Sequence, residues 1–183
     1  MSLDMMIAGI DTTGRVLASG LYYLNTPITK ETLAKASYLQ AVVKEILRLA
    51  PIAVGNSRTT PKDVIIGGYQ IPKGIDVLTC NLVVCTSDDY FSRGKEFIPE
   101  RWLPSAPKEL STKNTNPFIF APFGTGTRGC IGRRLATMEL QIAILKIVRN
   151  FELEWPHEDM VFATKMFYGI ARPLELHVKD VSQ

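Results

Sequence analysis

The sequence has few side chains that could form a zinc site or a disulfide framework. It contains two histidines and three cysteines in 183 residues, and neither His157 nor His177 has further ligands at zinc-site spacing. The cysteine count is odd, and Cys80 and Cys85 lie in an apolar run, which is typical of buried thiols. The pattern gives no support for structural zinc and favours a reducing compartment, and we expect both histidines at the surface.

Strong charge and long hydrophobic runs are also missing. The formal net charge is only +3, and no run of Lys and Arg interleaves with aromatics, so nothing supports nucleic-acid binding. No apolar stretch reaches the length of a membrane span. Met1–Ala8 is too short for a signal peptide and carries Asp4, so we expect no targeting segment. The 46% apolar residues are ordinary for one globular domain.

The most informative stretch that is present is Phe123–Gly132, which reads Phe-Gly-Thr-Gly-Thr-Arg-Gly-Cys-Ile-Gly. It places Cys130 directly before the apolar run Ile131–Phe151, which has the pattern of a helix. The N-terminal end of that helix would stabilise a thiolate, and Arg128 adds positive charge nearby. The glycines let the backbone approach a flat ligand closely. The alternative is a buried structural cysteine in a turn.

A second motif interrupts a predicted helix near the amino terminus. Residues Leu3–Leu24 have helical apolar spacing, but their centre reads Ala8-Gly9-Ile10-Asp11-Thr12-Thr13. Gly costs about 1 kcal/mol relative to Ala in a helix, and Thr is a poor helix former. The motif therefore predicts a functional kink, where a hydroxyl or a water opens the backbone ladder. The alternative is a polar patch that faces solvent.

The cysteine stretch resembles the haem-binding pattern of the cytochrome P450 family, Phe-x-x-Gly-x-Arg-x-Cys-x-Gly. This resemblance implies haem b as cofactor, with Cys130 as the axial thiolate ligand of the iron. It also implies that Arg128 and Arg58 bind the propionates, since a guanidinium suits a carboxylate; a solvated strand residue is the alternative for Arg58. The implied cofactor-binding residues are Cys130, Arg128, Arg58, Phe123, Gly124 and Gly132.

The interrupted helix resembles the distal-helix pattern of the same family, Ala-Gly-x-Asp/Glu-Thr-Thr. In that family the acid and the first threonine deliver protons to the reaction. The resemblance therefore implies that Asp11 and Thr12 are catalytic residues. Their chemistry is suitable, because a carboxylate exchanges protons with water and a hydroxyl can both donate and accept.

A third motif lies on a predicted helix whose apolar face runs from Leu39 to Ala50. Glu45 and Arg48 share one turn of it, and the pair alone is compatible with an ordinary surface ion pair. It also resembles the K-helix Glu-x-x-Arg pair of the P450 family. The third member is then Arg101, in Pro-Glu-Arg-Trp. The resemblance implies a buried structural network of these residues that holds the loops around the cysteine.

The basic pair Arg133-Arg134 opens the last predicted helix, where acidic residues are usual. A solvated basic face is the alternative. Gly-Arg-Arg after the cysteine resembles the animal mitochondrial class of P450s, whose basic residues receive an acidic ferredoxin. Lys44 matches another basic position of that class, but Gln40 does not. The resemblance implies an electron-donor face of Lys44, Arg133 and Arg134, and a parent protein on the matrix side of the mitochondrial inner membrane.

The fold class expected is mainly α with a small β-sheet (α+β), as one partial P450 domain over residues 1–183. The domain would contain the distal helix, K helix, small sheet, meander, cysteine loop and final helix. Strands are predicted at Val64–Ile66, Tyr69–Ile71 and Val77–Cys85, around the turns Gly67-Gly68 and Pro72-Lys73-Gly74. We also predict a short helix at residues 29–36, a buried helix Arg133–Phe151, and a terminal hairpin that includes Leu174, Leu176 and Val178.

The function implied is insertion of one oxygen atom from O2 into a small apolar substrate, steroid-like or xenobiotic. Pocket contacts are expected from Met6, Ile52–Val54 and Phe167–Ile170. The resemblance covers the carboxy-terminal part of the family, with an internal gap at residues 14–44, so we expect an exposed apolar face and membrane association only through missing segments. The alternative is a non-catalytic P450-derived fragment that does not hold haem stably.

Overall fold

The computed structural model describes residues 3–24, 36–164 and 167–181, with backbone alone for 3–7 and 36. The described helices are α1 (Leu3–Tyr23), α2 (Ala36–Leu49), α3 (Asn81–Thr86) and α4 (Arg133–Asn150). Single 3₁₀ turns lie at Pro99–Trp102 and Gly126–Arg128. The short helix predicted after Pro27 and the side chains of Met6 and Met166 lie outside the described residues.

Eight short strands form four antiparallel pairs in the described part of the chain. They are β1 (Asn56–Thr59), β2 (Val64–Ile66), β3 (Tyr69–Ile71), β4 (Asp76–Thr79), β5 (Phe151–Glu154), β6 (Phe162–Thr164), β7 (Tyr168–Ile170) and β8 (His177–Asp180). The pairs are β1–β4, β2–β3, β5–β8 and β6–β7. Mainly helical structure with small sheets confirms the predicted α+β class.

The β2–β3 hairpin has the bounds that the sequence predicts. Its turn residues Gly67 and Gly68 have φ angles of +58° and +86°, a left-handed conformation that side chains disfavour and that two-residue hairpin turns require. Local turn chemistry therefore determines this hairpin.

The apolar run Val77–Cys85 is not one strand, as predicted, because β4 ends at Thr79 and α3 begins at Asn81. A short apolar run suits a strand or a buried helix equally, and here distant groups hold the helix. The Leu82 amide donates to the Val54 carbonyl over 3.1 Å. Cys80 is half-buried and Cys85 is buried, and both thiols are free. Burial raises the pKa of the Cys85 thiol to about 11.

The carboxy-terminal strands also differ from the prediction. Leu174 and Leu176 precede β8, which begins at His177 and pairs with β5 across the intervening β6–β7 hairpin. The antiparallel arrangement predicted for the tail Leu153–Val181 is found, with Val178 opposite Leu153, but Leu174 and Leu176 are not part of a strand. His157 and His177 are exposed, as predicted.

Helix α4 was expected to be buried, and this expectation is wrong. Only Leu140 and Ile144 are buried on it, where α1 and α2 pack against it. Leu135, Met138 and Ile142 are about half exposed, because no described element covers their side of the helix. The exposed apolar face that the sequence predicts is found here. No helix in the described ranges is both long and apolar enough to cross a membrane.

The core is built around α2. Its buried apolar residues meet Val16 of α1, Leu24 just after that helix, and the buried pair of α4. The two helices α1 and α2 approach closely at Gly20, where an added Cβ would lie only 2.8 Å from Ile46 Cδ1. The α2 residues in this core are Tyr38, Leu39, Val42, Val43, Ile46 and Leu47.

The three residues predicted as a network are in contact, and each is at most 1% exposed. Both Nε and Nη2 of Arg48 donate to the Glu45 carboxylate, at 2.9 and 2.8 Å. Arg101 Nε donates to it at 3.0 Å. Two further donors complete the set: the Ile98 amide at 2.9 Å and Trp102 Nε1 at 2.8 Å. We call Glu45, Arg48 and Arg101 the charge network.

The charge network carries two positive charges and one negative charge, and carbonyl oxygens compensate the excess. Arg48 donates to the carbonyls of residues 85, 94 and 96, and Arg101 to those of 92 and 93. Every buried side-chain nitrogen and oxygen in the described part has a hydrogen-bond partner, which is the condition for burying charge at acceptable cost. The charge network thereby joins α2, α3 and the segment 92–102.

We expect Glu45→Ala to lower the free energy of unfolding by about 3–5 kcal/mol, since it leaves two buried guanidinium groups without their carboxylate. Urea denaturation followed by circular dichroism measures this change. The control is Glu96→Ala, which removes an exposed acid paired with Arg93 and should change stability little. Equal effects of both substitutions would contradict the role given to the charge network.

Candidate functional site

The segment Phe123–Gly132, which we call the cysteine loop, is closed by its own backbone. The Cys130 amide donates to the Phe123 carbonyl over 2.8 Å, and the Gly129 amide donates to the Gly126 carbonyl over 3.0 Å. Gly124 and Gly126 have φ angles of +69° and +67°, so glycine is required at both turns. The loop therefore has a defined shape that depends on short-range contacts.

Cys130 lies at the amino-terminal end of α4 and is exposed, so it is not the buried structural cysteine that was the alternative. Gly132 is the N-cap of α4, and an added Cβ there would lie 3.8 Å from the Cys130 sulfur. The positive end of a helix favours a thiolate, which is the metal-binding form of cysteine. In the described part no group of three or more His, Cys, Asp or Glu residues could hold a metal.

Strand β1 lies beside the cysteine loop. The side-chain oxygen of Asn56 would be 3.2 Å from a Cβ added at Gly124. Arg58, on the same strand, lines a cavity of about 350 Å³ together with Thr125 of the loop. Arg58 is exposed and uses Nη1 to bind the Ser57 carbonyl at 2.7 Å. Most of its guanidinium donors remain available to a ligand.

Arg128 ends the 3₁₀ turn of the cysteine loop and is exposed. It does not line the cavity that Arg58 lines. Within the described residues, its side chain makes no hydrogen bond or ion pair. Both predicted propionate ligands are thus exposed guanidinium groups that lie next to or within the cysteine loop.

The predicted catalytic residues Asp11 and Thr12 lie on α1, which continues through their motif without a break, so the predicted opening of the backbone ladder is not found there. The Asp11 carboxylate accepts from Arg15 Nε, at 3.2 and 3.1 Å to its two oxygens. The Thr12 hydroxyl donates to the Ala8 carbonyl over 2.6 Å. Sequence reasoning missed Arg15, although its spacing of four residues from Asp11 is the usual signal for such a pair. Both catalytic candidates therefore already have partners.

The two backbone segments predicted to line a substrate pocket are adjacent. The Tyr168 amide donates to the Ile52 carbonyl over 3.0 Å. Gly169 is buried against α1, with Ser19 Oγ only 3.7 Å from the position of an added Cβ. Burial raises the pKa of the Tyr168 phenol, which keeps it uncharged. Strand β7 contacts α1, the helix that carries Asp11 and Thr12.

A larger cavity of about 670 Å³ lies between α2, α4, the cysteine loop and the segment around Trp102. Lys44 and Arg133 line it, whereas Arg134 is exposed and does not. Asp11 and Cys130 are absent from its wall. This α2–α4 cavity is therefore separate from the predicted catalytic residues and contains two of the three residues predicted for the donor face.

Comparison with known proteins gives consistent matches. The family model for cytochrome P450 matches residues 25–176. The chain is 38% identical to "Probable cytochrome P450 12b2, mitochondrial" of Drosophila melanogaster over 85% of this chain and 34% of that protein. It is 33% identical to "Probable cytochrome P450 12c1, mitochondrial" of the same species over 99% of this chain and 40% of that protein.

A solved structure agrees with these matches. The crystal structure of a cytochrome P450 (CYP102L1) is similar with a TM-score of 0.81 at 29% identity, covering 97% of this chain and 44% of that one. The chain spans between a third and two fifths of the length of the two curated relatives.

We expect Gly126→Ala to lower the free energy of unfolding by about 1–2 kcal/mol, the cost of a left-handed conformation for alanine. Gly124→Ala should lower the free energy of unfolding by more than Gly126→Ala, because its Cβ would also meet Asn56. In an Asn56→Ala background the two glycine substitutions should have the same effect. Thermal and urea denaturation of the single and double variants measure these effects. Gly9→Ala is the control, since that helical site is open and should become more stable. Equal cost at positions 124 and 126 would show that Asn56 does not restrict the loop.

Proposed function

The chain belongs to the cytochrome P450 family, and from this premise we propose that it forms the thiolate side of a haem-thiolate monooxygenase. The proposed reaction of the whole protein inserts one oxygen atom from O2 into a small apolar substrate. The observation that carries the proposal is the exposed Cys130 in a self-closed glycine loop at the start of α4. We treat residues 1–183 as one partial domain of that protein.

The residues around Cys130 fit a flat, dianionic cofactor such as haem. Cys130 would supply the sulfur that binds the iron, and the end of α4 would favour the ionised form of this sulfur. Gly124 and Gly132 would leave room for the cofactor, and Phe123, whose carbonyl accepts from the Cys130 amide, would pack by the thiolate. Arg58 and Arg128 would donate to the propionates, because guanidinium groups bind carboxylates at two points. Haem bound through a thiolate supplies the activation of O2 that oxygen insertion requires.

Proton delivery is the role proposed for Asp11 and Thr12. Asp11 is engaged by Arg15 Nε, and the Thr12 hydroxyl proton points to the Ala8 carbonyl. To move a proton, Asp11 must release Arg15, and the Thr12 hydroxyl must turn away from Ala8. A hydroxyl can then accept a proton from one side while it donates on the other.

The electron donor is proposed to be an acidic ferredoxin that binds Lys44, Arg133 and Arg134. Two of these cations line the same cavity near the cysteine loop, and the two curated relatives described above are named as mitochondrial proteins. We accordingly propose a mitochondrial location for the parent protein. The substrate is proposed only as small and apolar, steroid-like or xenobiotic, since the pocket segments Ile52–Val54 and Phe167–Ile170 are mostly apolar.

A second candidate function is a P450-derived chain that does not hold haem stably and does not catalyse. Ile131 is 88% exposed and Leu135 is 49% exposed, so the described residues do not by themselves enclose the apolar surface around Cys130. A cofactor pocket normally excludes water from such residues. A titration of the purified chain with hemin distinguishes the two functions: a saturable 1:1 complex supports the monooxygenase, and weak exchangeable binding supports the second candidate.

We expect Cys130→Ser to abolish the red-shifted Soret band of the reduced, CO-bound haem protein, because a neutral hydroxyl is a far poorer donor to iron than a thiolate. Absorption spectra before and after reduction under CO measure this. The control is Cys80→Ser, which removes a half-buried free thiol outside the cysteine loop and should keep the band. Retention of the band in Cys130→Ser would rule out Cys130 as the ligand.

We expect Lys44→Glu and Arg133→Glu to weaken ferredoxin-supported turnover of the full-length protein by tenfold or more, chiefly at low ionic strength. Arg134→Glu should weaken it less, since Arg134 lies outside the α2–α4 cavity. Turnover with a peroxide as oxygen donor should survive, because it needs no protein partner. The control is Arg149→Glu at the far end of α4. If ferredoxin-supported and peroxide-supported turnover fell together, these cations would serve to stabilise the fold and not to bind the partner.

A further inference from the structure

We propose that Trp102 is a positioning residue for the electron donor, because it fixes Lys44 on the donor face and connects it to the charge network. This inference rests on the proposed ferredoxin function. Trp102 is the last residue of the 3₁₀ turn Pro99–Trp102, and its ring lines the α2–α4 cavity.

The indole of Trp102 is held on its polar edge by a fixed acceptor. Its Nε1 donates to Glu45 Oε2 over 2.8 Å, and Glu45 is 0% exposed. Because Glu45 is itself bound by two arginines and a backbone amide, it cannot follow a moving indole. The hydrogen bond therefore fixes the plane and the position of the ring.

The ring is also packed from its sides. The centroid of Phe120 lies 4.6 Å from that of Trp102, and the centroid of Phe91 lies 6.1 Å away. Phe120 lies three residues before the start of the cysteine loop, so this contact places the loop and the indole against each other. A ring held by one hydrogen bond and two aromatic neighbours is a rigid platform.

Lys44 uses that platform. Its Nζ lies 5.5 Å from the Trp102 ring centroid, within the range of cation–π attraction. Lys44 is exposed, and in the described part of the chain it has no carboxylate partner. A lysine ammonium on a flexible four-carbon stem would otherwise sample many positions. Trp102 thus restricts the charge to the wall of the cavity, where a partner's carboxylate could meet it.

Arg133 repeats this arrangement on the opposite wall. Its Cζ lies 5.9 Å from the ring centroid of Phe123, whose carbonyl accepts from the Cys130 amide. Arg134 has no such ring contact in the described part of the chain. The two cations that line the cavity are therefore placed by aromatic rings, one joined to the charge network and the other to the cysteine loop. Preplaced charges lose less freedom when a partner binds.

The test is a double-mutant cycle in the full-length haem protein, with a recombinant acidic [2Fe–2S] ferredoxin as the probe. The dissociation constant is measured at low and moderate ionic strength for wild type, Lys44→Ala, Trp102→Leu and the double variant. We expect each single substitution to weaken binding by about two- to fivefold. Trp102→Leu should have no further effect once Lys44 is alanine, because it acts through Lys44.

Trp102→Phe keeps a ring but loses the Nε1 donor, and it serves if Trp102→Leu does not fold. It should weaken ferredoxin binding by less than Trp102→Leu, and this effect should also vanish with Lys44→Ala. Trp155→Phe is the control, since that tryptophan packs against Tyr22 and His157 instead, and it should leave binding unchanged.

Two outcomes would overturn this inference alone while the donor face stands. One is a Trp102 effect that persists in the Lys44→Ala background, which would make Trp102 a purely structural residue. The other is unchanged ferredoxin affinity in both Trp102 variants although Lys44→Ala weakens it. If Lys44→Ala itself left the affinity unchanged at both ionic strengths, the proposed donor face would be wrong, and this inference would fall with it.

Discussion

The buried carboxylate of Glu45 receives hydrogen bonds from Arg48, Ile98, Arg101 and Trp102, and these donors come from two separate parts of the chain. Removing a carboxylate from water is unfavourable unless every lone pair is used, so the site tolerates only one arrangement of α2 and the segment 92–102. Arg48 extends this constraint through the Cys85 carbonyl to α3, and Arg101 binds the carbonyls of residues 92 and 93. Segments without regular structure thereby acquire fixed positions.

The cysteine loop depends on that constraint for its position but not for its internal shape. Its internal shape comes from its own glycines and from the Cys130 amide, but its place on the molecule comes from neighbours. Trp102 contacts Phe120 just before the loop, and Asn56 of β1 touches it at Gly124. A preformed loop on a fixed support is what a ligand-binding sulfur needs, since a functional group is only as well placed as the residues behind it.

Features with a local cause could be predicted from the sequence, and those with a distant cause could not. The Gly67-Gly68 hairpin and the bounds of α1 follow from turn chemistry and helical periodicity. The spacing of Glu45 and Arg48 is that of any surface pair, and only the family resemblance indicated Arg101, 56 residues away from Glu45. Helix α3 depends on contacts from remote segments, so the apolar pattern of Val77–Cys85 led to the wrong prediction of a single strand. The β5–β8 pair also joins segments that are far apart in the sequence. Trp102 appeared in a motif, but nothing local shows which acceptor its indole reaches.

In the proposed active site, the loop that carries Cys130 already has its shape, whereas the side chains of Asp11 and Thr12 would have to change their hydrogen bonds. On the thiolate side, Cys130 is positioned by backbone hydrogen bonds that need no ligand, and its sulfur makes no competing contact with a charged group in the described residues. On the proton side, Asp11 and Thr12 are engaged with Arg15 and Ala8, so delivery of a proton requires breaking contacts that the resting helix makes. Because Asp11 and Arg15 are both about half exposed, their ion pair contributes at most about 1 kcal/mol, so the proposed role needs only a small rearrangement. The same pairing that makes Asp11 look like an ordinary surface residue would therefore make its proton transfer conditional on rearrangement.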